Sequence, residues 1–162
     1  MRKLILACLC FMGCAWAESQ ADGQLTVGGQ SVKLTQVVAF HMEGFFDKAK
    51  DDTVVLLADR PVTDAQSRDD FVLSSLAKEG RLYFVREVIN ASGQIINFTV
   101  GHRALKVPPS GGSTEHVFTG SVGSAMISGK VATKGVQEAF GGEKYEYAAT
   151  FRAAIQPKKN GR

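Results

Sequence analysis

The sequence predicts a mainly β domain, bordering on α+β. The expected architecture is an antiparallel β-sandwich or partly open barrel of about eight strands, with one helix at roughly 63–79. Three observations carry this. Short apolar runs recur along the chain, alternating or continuous, and each is closed by glycine, asparagine or proline. Only one segment has helical punctuation at both ends. The connections between runs are short, so that neighbouring strands must pair antiparallel.

Taken in order, "LTVGGQSVKLTQVVAF" holds two strand-like runs around Gly28-Gly29, residues suited to the positive φ angles of a tight hairpin turn. In the second run Val32, Leu34, Val38 and Phe40 are expected on one inner face. Next, "TVVLLAD" at 53–59 is apolar on successive residues, as in a strand covered on both sides. Pro61 stops it. "TDAQSRDDFVLSSLAKEG" then opens with a capping box, Thr63 with Gln66, and closes at Gly80. Its apolar stripe is Phe71, Val72 and Leu76, with Leu73 as a further member. "RLYFVREVI" and "QIINFTV" read as two strands joined by a four-residue turn at Asn90–Gly93. "PPSGGST" at 108–114 is a flexible loop. "HVFTGSV", "SAMISGKVAT" and "KYEYAATFRAAI" complete the strands, and the last places Tyr145, Tyr147 and Phe151 on one face with Ala149 between them.

The ends of the chain say where it works. Residues 1–17, "MRKLILACLCFMGCAWA", have a basic start, an apolar stretch and a small-residue cleavage point at Ala15-Trp16-Ala17. The apolar stretch is roughly ten residues, about half a bilayer-spanning helix. The reading is a signal peptide of bacterial type, with the mature chain starting at Glu18 and no transmembrane segment. A short leader at 18–23, one β-rich domain at 24–156 and a disordered basic tail at 157–162 follow. The three cysteines, Cys8, Cys10 and Cys14, all lie within the signal. A mature chain without thiols excludes disulfides, zinc–thiolate centres and cysteine nucleophiles. "FMGC" at 11–14 offers an alternative, a lipid anchor at Cys14, although Phe11 stands where such signals carry leucine.

Taking out Arg2 and Lys3 leaves seventeen Lys and Arg against sixteen Asp and Glu, a net charge of about +1. No concentrated basic face follows from this, which argues against nucleic acid as a partner. About 145 mature residues suffice to bury a core without cross-links.

Chemistry-bearing residues are sparse. Three histidines, His41, His102 and His116, form a weak candidate metal set if the loop at 108–114 folds back. Tyr83, Tyr145 and Tyr147 form a weak candidate ligand-binding platform for a sugar ring or a partner protein. "AFHMEGFFDKAKDD" at 39–52 crowds a histidine, acids and phenylalanines together. It is expected as a structural connection, with Phe40 and at least one of Phe45 and Phe46 buried while His41, Glu43, Asp47, Asp51 and Asp52 face solvent. The G-x-S-x-G turn of serine hydrolases is absent, and "VGGQ" and "PSGGST" lead into no helix as a phosphate cradle would. "DKAKDD" lacks the spacing of a calcium loop. Asn90-Ala91-Ser92 and Asn97-Phe98-Thr99 are formal glycosylation sequons, read here as turn and strand residues. No catalytic residue and no cofactor is indicated.

The opening hairpin "LTVGGQSVKLTQVVAF", the central "VVLLADRPV" and the closing "FGGEKYEYAATFRAAI" together resemble a group of small exported bacterial β-rich single-domain proteins. That resemblance implies a fold and no chemistry. The function expected is therefore an exported cell-envelope binding or interaction module without catalytic activity, periplasmic or secreted, whose partner is an envelope protein or glycan. The alternatives are an inhibitor presenting 108–114 or 41–52 to an extracytoplasmic enzyme, and a small metal-dependent hydrolase using the three histidines. A mature chain without thiols should melt at the same temperature with and without a reductant. A substantial drop in melting temperature under reduction would contradict this reading.

Overall fold

A computed structural model describes residues 19–159. The signal segment, the thiols Cys8, Cys10 and Cys14, the lipidation alternative and the final residues 160–162 lie outside the described residues. The strands are β1 (Gln20–Val27), β2 (Gln30–Leu34), β3 (Gln36–Glu43), β4 (Asp51–Ala58), β5 (Phe84–Ile89), β6 (Ile95–Gly101), β7 (Ser110–Gly111), β8 (His116–Val122), β9 (Met126–Thr133), β10 (Gln137–Glu138) and β11 (Lys144–Gln156). Two helices, α1 (Asp64–Ser67) and α2 (Asp70–Lys78), stand between β4 and β5. Strand makes up 52% and helix 9%, which settles the borderline in favour of mainly β.

The sheet curls into an open half-barrel in the order β2-β1-β11-β3-β4-β5-β6-β7, while β8, β9 and β10 attach through β11. Pairing is antiparallel except at one point. There β11 meets β3 in parallel over Ile155↔Ala39 and Gln156↔Phe40, an exception to the expectation of antiparallel pairing throughout. Gly28 and Gly29 take φ of 56° and 80° at the first hairpin, as the turn chemistry required. Where Gly23 faces β11, an added Cβ would lie 2.2 Å from the Cβ of Ala149, so only glycine permits that approach.

The concave face carries the main core, with Leu25, Leu34, Val55, Leu57, Val85, Val100, Ile127 and Phe151 among its members. The outer face of β4 and β5 is covered by α2, where Leu56, Ala58, Leu73, Ala77, Leu82 and Phe84 form a second cluster. Apolar residues on both sides of β4 follow from these two layers, and seven of its eight residues are buried.

Several expectations are corrected. The leader at 18–23 is largely strand, since β1 begins at Gln20 and pairs Gln20 with Arg152. The run from 30 to 40 is two strands rather than one. It breaks at Thr35, whose N–H donates to the Ala58 carbonyl at 2.9 Å. Leu34, Val37 and Ala39 consequently face the concave core, while Phe40 and Val38 pack on the outer side.

The single helix at 63–79 is also two. Thr63 caps α1 through the expected capping box. Arg68 then ends it, and Asp69 leaves helical geometry to accept from the N–H groups of Phe71 and Val72, each at 3.0 Å. The buried residues of α2 are Leu73 and Ala77, whereas Phe71 is 84% exposed. The tail is held over 157–159. Lys158 pairs with Asp51 at 2.9 Å, Lys159 pairs with Asp64, and Arg68 donates to the Pro157 carbonyl at 3.3 Å.

Leu73→Ala should therefore cost about 2–5 kcal/mol by leaving a cavity beneath α2, and Phe71→Ala should leave stability within about 0.5 kcal/mol. Denaturant unfolding of the two variants checks the assignment, which fails if the order is reversed.

Candidate functional site

The three histidines stand in three separate settings. His41 lies on β3 with Nε2 3.2 Å from the Ser124 carbonyl. His102 is buried just past β6, accepting from the Ala104 N–H at 3.1 Å and stacked on Tyr83 with ring centroids 4.3 Å apart. Burial, and then the neighbouring Arg103, hold its pKa below the ordinary histidine value. His116 opens β8 and points into the core. Among the described residues no three His, Cys, Asp or Glu side chains are grouped so as to hold a metal ion. The three tyrosines divide likewise. Tyr83 stays with His102, while Tyr145 and Tyr147 lie on the inward stripe of β11, each buried. They present no exposed platform.

What the fold does assemble is a buried polar chain. Tyr145 and Tyr147 both point inward because they are two apart on β11. His116 lies between them, with Nδ1 2.7 Å from the Tyr147 hydroxyl and Nε2 3.1 Å from the Tyr145 hydroxyl. The Tyr147 hydroxyl donates to Oε1 of Glu87, a fully buried residue of β5. That direction leaves the Tyr147 oxygen to accept from Nδ1–H of His116, and Nε2 to accept from Tyr145. His116 Nδ1 and Glu87 Oε1 are 3.5 Å apart, and the Tyr147 hydroxyl is bonded to both. Phe98 of β6 closes over the imidazole, with centroids 3.6 Å apart.

The electrostatics follow from desolvation. Burial pushes the Glu87 carboxyl above the usual range, offset in part by the nearby His116 imidazole and by the hydrogen bond from Tyr147. Oε2 of Glu87 is buried without a hydrogen-bond partner among the described residues. Burial and the nearby carboxylate likewise raise the Tyr147 phenol well above its ordinary value. Both ring nitrogens of His116 are engaged and its side chain is 1% exposed, so the imidazole has no free nitrogen for an incoming reactant.

The chain lies beneath a gap in the barrel. β6 pairs with β5 and β7, β8 pairs with β9, and no ladder joins β6 to β8. The gap forms a groove of about 430 Å³, walled by Gln94, Ile95 and Ile96 on one side and Thr114, Val117 and Phe118 on the other, with His116 at its floor. A register shift between Val88 and Ile89 lets Ile95 and Phe98, three apart, both pack toward the concave core.

Glu87 and Phe98 are the members that the sequence reading missed. A signal for Glu87 existed: "VREVI" puts two adjacent charges inside an otherwise apolar strand. Neighbours on a strand face opposite sides, so one of them had to enter the core. Arg86 goes outward to Asp70, whose carboxylate lies 3.1 Å from Nε in a charge contact too poorly directed to be a hydrogen bond.

The connection after β3 departs from expectation as well. Phe40 is buried as predicted, but Phe45 and Phe46 are 69% and 78% exposed. Asp52, expected in solvent, is buried and accepts from the Phe45 N–H at 2.8 Å. No family model matches the chain, and no curated protein or solved structure matches it.

A raised carboxyl pKa means that the folded state binds the Glu87 proton more tightly than the unfolded chain does. Its contribution to stability is then full below the ordinary glutamate range and is lost as pH rises toward the elevated value. The stability of the parent relative to Glu87→Gln should fall steadily with pH through that window. Denaturant titrations of both proteins at a series of pH values read this directly, and parallel profiles would contradict it.

Proposed function

We propose that the chain is an exported binding module, acting in the periplasm or outside the cell. Its ligand is a small, mainly apolar molecule seated in the seam between β6 and β8. The observation that carries this is an open groove above a polar chain that is already internally bonded. The groove has the size of a small-molecule site, which is typically a few hundred cubic ångströms with apolar walls and few polar groups. Ile95, Ile96, Val117 and Phe118 supply the walls, and Gln94, Ser113 and Thr114 supply hydrogen-bonding groups at the rim. Binding rather than turnover fits the buried, doubly engaged His116. A general acid or base must come within hydrogen-bond reach of a reacting group.

An environment-sensitive naphthalene dye should bind saturably at one site per chain. Val117→Lys, which places an ammonium in the half-buried wall, should weaken that binding about tenfold or more with little change in melting temperature. Equal dye affinity in parent and variant would remove the seam as the site.

A further inference from the structure

We propose that the connection between β3 and β4 docks the protein on a lipid bilayer surface by inserting Phe45 and Phe46. This inference is independent of the seam. The two rings are adjacent, largely exposed, and set edge to face at 4.9 Å and 85°. The segment that carries them is held in place. Gly44 lies under the turn, where a Cβ would come within 2.1 Å of the Lys50 carbonyl oxygen and 2.3 Å of the Asp47 carbonyl oxygen. The Lys50 N–H donates to that Asp47 carbonyl, and the Ala49 N–H donates to the Asp47 side chain, both at 3.0 Å. From below, the buried Asp52 carboxylate accepts from the Phe45 N–H. The backbone is thus braced so that both rings project together.

Area and charge select the occupant. Two phenylalanines offer at most about 300–500 Å², well short of the roughly 800 Å² per partner that a stable protein interface needs. Insertion at a bilayer interface requires only that apolar side chains reach about 5–10 Å below the headgroups. The rim around the rings is self-neutralised. Lys48 pairs with Glu43 at 3.3 Å, Lys50 with Asp47 at 3.4 Å, and Lys158 with Asp51 at 2.9 Å. Such a rim sits among zwitterionic headgroups without repulsion and draws little from anionic ones. Attachment is therefore apolar, reversible and nearly indifferent to headgroup charge and salt.

The test is cosedimentation of the protein with vesicles of pure phosphatidylcholine and with vesicles containing phosphatidylglycerol, each at low and high salt. The parent should bind both to a similar extent at either salt concentration. Phe45→Ser and Phe46→Ser should each lower the partition coefficient about tenfold or more, with unchanged melting temperatures. Phe71→Ser and Phe140→Ser, which remove the other two highly exposed phenylalanines, should leave it unaltered. Binding confined to anionic vesicles and lost in salt would overturn the proposal, as would equal losses in the Phe71 and Phe140 variants. Absence of binding to either vesicle would also overturn it and point to a protein surface instead.

Discussion

The inward stripe of β11 is the constraint on which the rest of the structure depends. This thirteen-residue strand pairs with β1 on one edge and with β9 and β10 on the other, and it touches β3 at its end. Every second residue from Tyr145 to Ala153 is buried. The strand is therefore the element through which both halves of the curled sheet are joined, and its side chains fill the space between them. The small side chain of Ala149 lets β1 come close at Gly23. Tyr145, Tyr147 and Phe151 are buried in the main core.

Two of those large residues carry hydroxyls, and that choice dictates the chemistry of the interior. A buried phenol needs a partner, or it loses the hydrogen bonds it made with water. His116 supplies a partner to both phenols, and Glu87 accepts the hydrogen bond of the second. The four groups come from three strands that are distant in sequence, so the chain of hydrogen bonds forms only when β5, β8 and β11 are all in place. Removing one member would leave others buried without partners, which is costlier than replacing the set by apolar residues of the same shape. The cluster thereby favours one register of β8 against β9, the strand that separates it from β11. A slip of one residue would turn His116 away from both tyrosines.

Much of the fold was legible because period and punctuation agreed. The buried faces of β4 and β11, the glycine hairpin and the turn after Asn90 all have local signals that tertiary packing left unchanged. Three of the misses share a cause, a polar residue with two possible jobs. Asp69 falls inside the single helix expected at 63–79, but it caps a second one. Asp52 looked like surface, yet its carboxylate is spent on the backbone of the preceding turn. Glu87, not singled out within "RLYFVREVI", enters the core. In each case the decisive partner is a backbone group or a distant side chain that periodicity does not register. The candidate site was less legible still. Three of its members, His116, Tyr145 and Tyr147, were named for roles they do not share in the fold, because the sequence shows no link between positions 29 or 31 residues apart.

The exposed phenylalanines are not equivalent, and the difference lies in the backbone beneath them. Phe71 sits in the first turn of α2, whose opposite face carries Leu73 and Ala77 into the outer core, so helix geometry alone sends it outward. Phe140 lies in the turn just before Gly141 and Gly142, between two strands that are already paired. Phe45 and Phe46 follow Gly44 in a segment with side-chain hydrogen bonds of its own. Had that segment been loose, the rings would have been free to fold back toward the core, where the sequence alone placed at least one of them. The bond from the Phe45 N–H to buried Asp52 fixes the backbone at the position where such a collapse would begin. A buried carboxylate that could have paired with a lysine instead holds an apolar pair in water. That arrangement favours a conformation in which the two rings stay outside the core of this chain.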